Sequence, residues 1–200
     1  MTKICRWLVV VVALFSVTQV RAQNPIFAGH GPVIEAGLGY SYANVGVPSL
    51  DRVSMHGVDG SVNADFSRRF GVKLDVGYVR GFDVFGTNHH ADILSYMAGP
   101  VFYPIRKKRF SVYTEALFGG ARETGVNFTS SGQTITGFTN KFAWQAGGGV
   151  EYRISRMFAV RFGADYMHTS FYNSEVTITG QNNVRAVASL VYTFGEGREK

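Results

Sequence analysis

Cysteine is nearly absent from this chain. Cys5 is the only one among 200 residues, and it stands ahead of the first apolar run, not after it, so it does not read as a lipoprotein cysteine. With no other thiol, disulfides, thiolate catalysis and cysteine-ligated metals are excluded together. Long apolar runs are equally scarce: beyond the first one, no stretch approaches the ~20 residues of a membrane helix, which excludes a helical membrane protein. The glycine-lysine phosphate loop, the zinc-protease pattern and the dinucleotide glycine pattern are missing, so no cofactor is expected. Gly147-Gly148-Gly149 lies inside an alternating stretch and reads as a bend or a packing accommodation. The charged turns lack interleaved stacking aromatics, so no nucleic-acid partner is expected.

What is present begins with an address. Lys3 and Arg6 form a basic start, residues 7–17 an apolar stretch, and Val20-Arg21-Ala22 a small-x-small cleavage site. Residues 1–22 are therefore expected to be a secretory signal peptide, 23–32 an N-terminal segment, 33–194 the folded domain and 195–200 a tail. Removing 22 of the 200 residues leaves 178, enough for one domain, and lowers the formal charge from +6 to +3 with the loss of Lys3, Arg6 and Arg21. So mild a charge is weak evidence for a polyanionic partner. Glycine, at 24 of 200 residues, exceeds the average usage of ~7%. Many glycines fall inside the alternating segments, where they make room in a narrow barrel.

Eight stretches alternate apolar and polar residues with a period of two, the mark of strands whose faces differ. They are expected near 33–43, 55–67, 70–78, 91–103, 110–121, 141–153, 157–167 and 184–194. The last is the cleanest: Val184, Ala186, Ala188, Leu190, Tyr192 and Phe194 interleave with Arg185, Val187, Ser189, Val191 and Thr193. The fourth is untidy, because Ile93, Met97 and Val101 take the inward parity, and Pro100 points to an irregularity near its end. Three connections are short and basic (68–69, 106–109, 155–156), and four are longer and polar (44–52, 81–90, 122–140, 168–183). Short periplasmic turns opposite long extracellular loops, with about ten residues per strand, fit an eight-stranded antiparallel up-and-down transmembrane β-barrel with both termini in the periplasm.

A soluble eight-stranded barrel also alternates, but it places apolar residues inside. Here one face carries nearly all the aromatics, including Tyr40, Tyr42, Phe66, Phe70, Phe102, Tyr103, Phe110, Tyr152, Phe158, Tyr166, Tyr192 and Phe194 near strand ends, which read as interfacial girdles. The other carries Glu35, Asp59, Asp65, Asp75, Glu115, Glu151 and Asp165 with Lys73, Lys141, Arg161 and Arg185. Those eleven residues are the candidate site: a lumenal charge network in which opposite charges must pair, because an unpaired buried charge is costly. It reads either as a packed plug or as a gate that opens transiently to ions.

Smaller features carry weaker readings. The basic turns are solvated, or touch lipid phosphates or cell-wall polymers. His89 and His90 with Asp83 and Asp92 resemble metal ligands in type, but adjacent strand residues point to opposite faces. His168 and Ser170 share the outward face beside the rim, and a His-x-Ser pair of that kind is found on some outer-membrane lipid A deacylases, Glu175 being the nearest acid.

With those residues in view, the chain resembles the OmpA-like and opacity-protein-like family of eight-stranded outer-membrane barrels, the outer membrane protein β-barrel domain proteins. The resemblance runs from about residue 32 to 194. It rests on the Tyr96-Met97-Ala98-Gly99-Pro100-Val101-Phe102-Tyr103 stretch, Phe118-Gly119-Gly120-Ala121-Arg122, Ala146-Gly147-Gly148-Gly149-Val150-Glu151-Tyr152, residues 161–166 and the closing Val191-Tyr192-Thr193-Phe194. It implies a structural or surface-exposed barrel in outer-membrane lipid, with no catalytic residues to carry over. The assembly machinery would read the strand ending at Phe194, and the loops would bind host, phage or matrix partners. A small gated channel and a lipid A-modifying hydrolase using His168 and Ser170 remain the alternatives.

Overall fold

Each alternating stretch pairs with its neighbours in sequence, and the last returns to the first. The computed structural model describes residues 32–46, 52–82, 90–128, 134–170 and 181–194. Its strands are β1 (Val33–Val45), β2 (Val53–Asp65), β3 (Phe70–Gly81), β4 (Ala91–Arg106), β5 (Phe110–Phe128), β6 (Thr134–Arg153), β7 (Phe158–Thr169) and β8 (Gln181–Phe194). They form a closed antiparallel barrel in sequence order, sealed where Ile34 of β1 lies opposite Phe194 of β8. The expected signal peptide, nearly all of the segment after it, the tail, Asp83, His89 and Glu175 lie outside the described residues.

The faces separate as a membrane barrel requires. Leu38, Leu74, Phe118, Phe142, Phe162 and Leu190 stand more than half exposed on the outer wall, while the charged residues opposite in parity are buried. A soluble barrel would reverse this order.

Both termini of the barrel and three tight turns share one end, called here the turn end. Two of its turns are built alike. In Phe66-Ser67-Arg68-Arg69-Phe70, Phe66 and Ser67 N–H donate to the Phe70 carbonyl at 3.1 Å, and the Ser67 hydroxyl accepts from Phe70 N–H at 2.9 Å. In Ile154-Ser155-Arg156-Met157-Phe158, Ile154 and Ser155 N–H donate to the Phe158 carbonyl at 2.9 and 3.0 Å, and Ser155 Oγ accepts from Phe158 N–H at 3.0 Å. The serine side chain supplies an acceptor that the turning backbone lacks, which ends β2 at Asp65, short of the expected Ser67.

At the other end, the loop end, the strands run further than the alternation implied. The expected loop over 122–140 is largely strand: β5 and β6 pair in unbroken register from Phe110 opposite Tyr152 to Phe128 opposite Thr134. Its Thr, Val, Ile and Phe residues favour strands, and its Ser, Thr, Gly and Asn content misled because it breaks the alternation where this hairpin outruns its neighbours. β4 leaves β5 at Asp92 opposite Thr124, and β7 leaves β6 at Thr169 opposite Ala143.

β4 is irregular at both prolines: its pairing with β5 is interrupted at Gly99 and Pro100, and its register shifts at Pro104. Pro100 stays in register opposite Val72, whereas the pairing with β5 slips by one residue between Phe102 and Ile105. Proline lacks the N–H that a ladder needs, so the chain bulges there and the parity inverts. Tyr103, expected among the outward aromatics, stands ahead of the bulge and keeps the inward parity of Ile93, Met97 and Val101, at 1% exposure. Beyond the bulge Ile105 faces out and Arg106, expected in a basic turn, ends β4 with its side chain largely buried.

Strand closeness explains the triple glycine. A Cβ on Gly149 would lie 2.0 Å from the Phe162 carbonyl oxygen, and one on Gly147 would lie 2.4 Å from that of Ala164. At Gly60 the nearest atom would be 3.9 Å away. Gly149→Ala is therefore expected to cost about 1–3 kcal/mol by overpacking, read as a lower urea midpoint of the folded barrel in detergent, while Gly60→Ala leaves that midpoint in place.

Candidate functional site: the charged lumen

Inward parity brings residues from all eight strands onto one axis only a few side chains wide, since eight strands enclose a space that side chains fill. Ten of the eleven candidate residues are buried there: Glu35, Asp59, Asp65, Lys73, Asp75, Glu115, Glu151, Arg161, Asp165 and Arg185. Lys141 is the exception. It keeps the inward parity of β6 but lies above the plane where β7 ends, so it stands exposed and joins none of the lumenal ion pairs.

The charges form two layers. In the middle of the barrel, Arg185 Nη1 donates to Asp59 Oδ2 at 3.0 Å and to Asp75 Oδ1 at 2.9 Å, and its Nη2 reaches Asp165 Oδ2 at 3.3 Å. Lys73 Nζ lies 3.0 Å from Asp75 Oδ2 and 3.1 Å from Glu115 Oε1, and Gln145 Nε2 donates to that same oxygen at 3.3 Å. Two cations thus hold four carboxylates, with the planar guanidinium serving three of them because its donors fan out in a fixed fork.

The second layer lies toward the turn end. Arg161 Nε donates to Glu151 Oε2 at 3.0 Å, and its Nη2 donates to Glu35 Oε2 at 2.8 Å. Arg153 Nη2 donates to Glu35 Oε1 at 3.1 Å, while Arg106 pairs with Asp65 and lies 4.0 Å from Glu35 Oε1. Here three guanidiniums meet three carboxylates. Tyr103 fills the space between: the Arg106 guanidinium lies 3.8 Å from its ring centre, a cation–π contact. With its oxygen toward Arg161, the Asn63 amide accepts from Nη1 at 3.0 Å and from the Tyr103 hydroxyl at 3.2 Å.

Above both layers, toward the loop end, the lumen is mostly apolar, with Thr169, Gln181 and Asn183 buried and hydrogen-bonded to one another on the β7–β8 side. Ala43, Met55, Val79, Ile93, Met97, Leu117, Ala121, Ala143 and Met167 pack into one buried cluster. The untidy fourth strand has its reason here: Ile93 and Met97 face inward because they build this cap.

Sequence reasoning missed Arg106, Arg153, Asn63, Gln145 and Tyr103 as members of the network. Arg153 was legible, two residues from Glu151 on the same face. Arg106 was not, because only the bulge turns it inward.

Of the remaining candidates, His168 and Asp92 have partners among the described residues. His168 Nδ1 lies 2.9 Å from Asn182 Oδ1, and its ring stacks on Trp144 at 5.8 Å, so an amide rather than a carboxylate orients it. Asp92 accepts from Arg80 at 2.6 and 3.0 Å, and among the described residues no three His, Cys or carboxylate side chains group as a metal site.

Comparison with known proteins adds the lineage. Solved structures share the fold at low identity. Ail, the attachment invasion locus protein of Yersinia pestis, aligns at TM-score 0.59 and 16% identity, over 82% of this chain and 100% of its own. Neisserial surface protein A aligns at TM-score 0.60 and 14% identity, over 82% and 98%. The N-terminal barrel domain of Pseudomonas aeruginosa OprF aligns at TM-score 0.51 and 14% identity, over 82% and 100%. No curated protein sequence matches the chain. Residues 8–194, nearly the whole chain, match the family described as outer membrane protein beta-barrel domain, and with a closed eight-stranded barrel, apolar outside and charged within, the chain belongs to that family of bacterial outer-membrane proteins.

Proposed function

We propose that this protein is a non-conducting, non-enzymatic outer-membrane barrel that displays a binding surface on the cell exterior, with its turn end and both termini in the periplasm. The apolar cap over the two ion-pair layers carries this reading. Ala43, Leu117, Ala121 and Ala143 are fully buried in it and Met55 nearly so, and an ion crossing it would shed most of its hydration, since Thr169, Gln181 and Asn183, the buried polar side chains at this height, hydrogen-bond to one another. Below the cap, every candidate cation of the lumen is engaged by carboxylates within 3.3 Å.

The exterior then falls to the β5–β6 hairpin. Beyond Thr124 on β5 and Ala143 on β6 its strands pair with each other and with neither flanking strand. Paired strands hold a recognition surface more firmly than an unpaired loop, and host, phage or matrix surfaces are the partner classes such a projection suits. The complex of Ail with the heparin analogue sucrose octasulfate, at 18% identity to this chain, is consistent with a surface role for this fold; any ligand here must be set by this chain's own residues.

Three outcomes are expected. Wild-type protein in planar bilayers gives no steady conductance steps, and sustained channels would establish the gated-channel alternative instead. Arg185→Ala leaves three buried carboxylates short of a partner and costs about 3–5 kcal/mol, read from urea unfolding in detergent by the gel shift between folded and unfolded barrel. In a Cys5→Ser background, Lys108→Cys is labelled by a membrane-impermeant maleimide only after the outer membrane is permeabilised, and labelling in intact cells would reverse the orientation.

A further inference from the structure

Among the described residues, the turns of the turn end carry charge of one sign. Its three turns contribute Arg68 and Arg69, then Lys107, Lys108 and Arg109, then Arg156, with no acidic residue among them. Of these, Arg68, Lys107, Lys108, Arg109 and Arg156 line and crown a cavity of about 600 Å³ whose lining also includes Glu35, Asp65, Arg106 and Arg153, and Arg69 stands beside Arg68 in the first turn. The two acids are already engaged from within, Asp65 by Arg106 and Glu35 by Arg153 and Arg161 at 3.1 and 2.8 Å. The floor is therefore neutralised, and Arg68, Lys107, Lys108 and Arg109 add positive charge at the rim.

The turns are also fixed. Tyr103 N–H donates to the Arg69 carbonyl, Arg153 N–H to that of Arg109 and Thr193 N–H to that of Met157, each at 2.8 Å. Arg68 Nη2 donates to the Arg106 carbonyl at 3.3 Å, tying the first turn to the second. A crown held this way loses little backbone entropy on binding.

Exposed apolar side chains stand immediately beside the cations and give the crown its depth. Phe66 and Phe70 bracket Arg68 and Arg69, Ile105 and Phe110 bracket the Lys107-Lys108-Arg109 run, and Ile154 and Met157 bracket Arg156; all six are 39–63% exposed. Side chains of this kind sink into the acyl boundary and hold neighbouring cations at the level of lipid phosphates. A crown that met only a polymer in water would have no use for them.

We propose that the turn end is a binding site for anionic glycerophospholipid, with Arg68, Arg69 and the Lys107-Lys108-Arg109 turn engaging the phosphodiester and any further acidic headgroup, and the cavity accepting the headgroup. Guanidinium forks and lysine ammonium groups are the donors that phosphate oxygens take best. The site rests on the periplasmic placement of the turn end only for which leaflet supplies the lipid; its headgroup preference does not depend on it.

Native mass spectrometry of the full folded protein in detergent tests this, with phosphatidylglycerol, cardiolipin or phosphatidylcholine added. The expected result is retention of the anionic lipids at least fivefold over phosphatidylcholine, a preference that collapses as ionic strength rises. Combined Arg68→Gln, Arg69→Gln, Lys107→Gln, Lys108→Gln and Arg109→Gln is expected to abolish it with the heat-dependent gel shift retained, whereas Lys141→Gln at the loop end leaves it intact. Should the combined variant not fold, competition of wild-type retention by glycerol phosphate reads the same site. Equal retention of all three lipids, equal loss on Lys141→Gln, or retention of soluble cell-wall fragments without lipid preference overturns the proposal. Cysteine labelling of Lys108→Cys in intact cells would overturn the orientation alone.

Discussion

Inside hydrocarbon a backbone N–H or carbonyl has no water to turn to, so a sheet that crosses a membrane has to close on itself. The seal between β1 and β8, with Ile34 opposite Phe194, is the step that meets this demand, and much else follows from it. Closing with eight strands leaves an interior of side-chain width. Any charge placed there is buried by construction, and it persists only if other strands supply its counter-charge.

That constraint explains why the ion pairs cross the lumen rather than follow one strand pair. Glu151 and Arg161 lie directly opposite on β6 and β7, as do Asp165 and Arg185 on β7 and β8. Yet Arg161 also reaches Glu35 on β1, and Arg185 reaches Asp75 on β3 and Asp59 on β2. Each guanidinium therefore clamps strands that are not neighbours in the sheet. The network works against slippage as much as for stability, because a one-residue register shift would turn these side chains toward lipid.

The outer wall and the turn end obey the same logic in the opposite sense. Where the surroundings are apolar, the wall is apolar, and where the chain turns, cations sit between side chains suited to the acyl boundary. The Ser67 and Ser155 turns show how local chemistry serves this: a hydroxyl that accepts the turn's N–H groups lets the strand end abruptly and presents an arginine next in line.

The fold and most of the lumenal set were legible in the sequence because strand periodicity is two everywhere: a residue's parity states its face, and its chemistry states whether that face meets lipid or lumen. Parity alone picks out the ten charged residues from Glu35 to Arg185 that the structure buries, but not Lys141's exposure nor the part that Arg106, Arg153, Asn63, Gln145 and Tyr103 play. What parity could not carry was anything that breaks it or depends on height along the axis. The slip at Pro104 sends Arg106 inward, an inversion that no residue count reveals. Lys141 shares the parity of Gln145 but stands above the filled part of the lumen, and the long β5–β6 hairpin was hidden because Ser, Thr, Gly and Asn interrupt its alternation. The division of the lumen into a balanced layer, an acidic layer held by two cations and an apolar cap belongs to tertiary structure alone, because it is set by how far each strand is staggered against the next when the barrel closes.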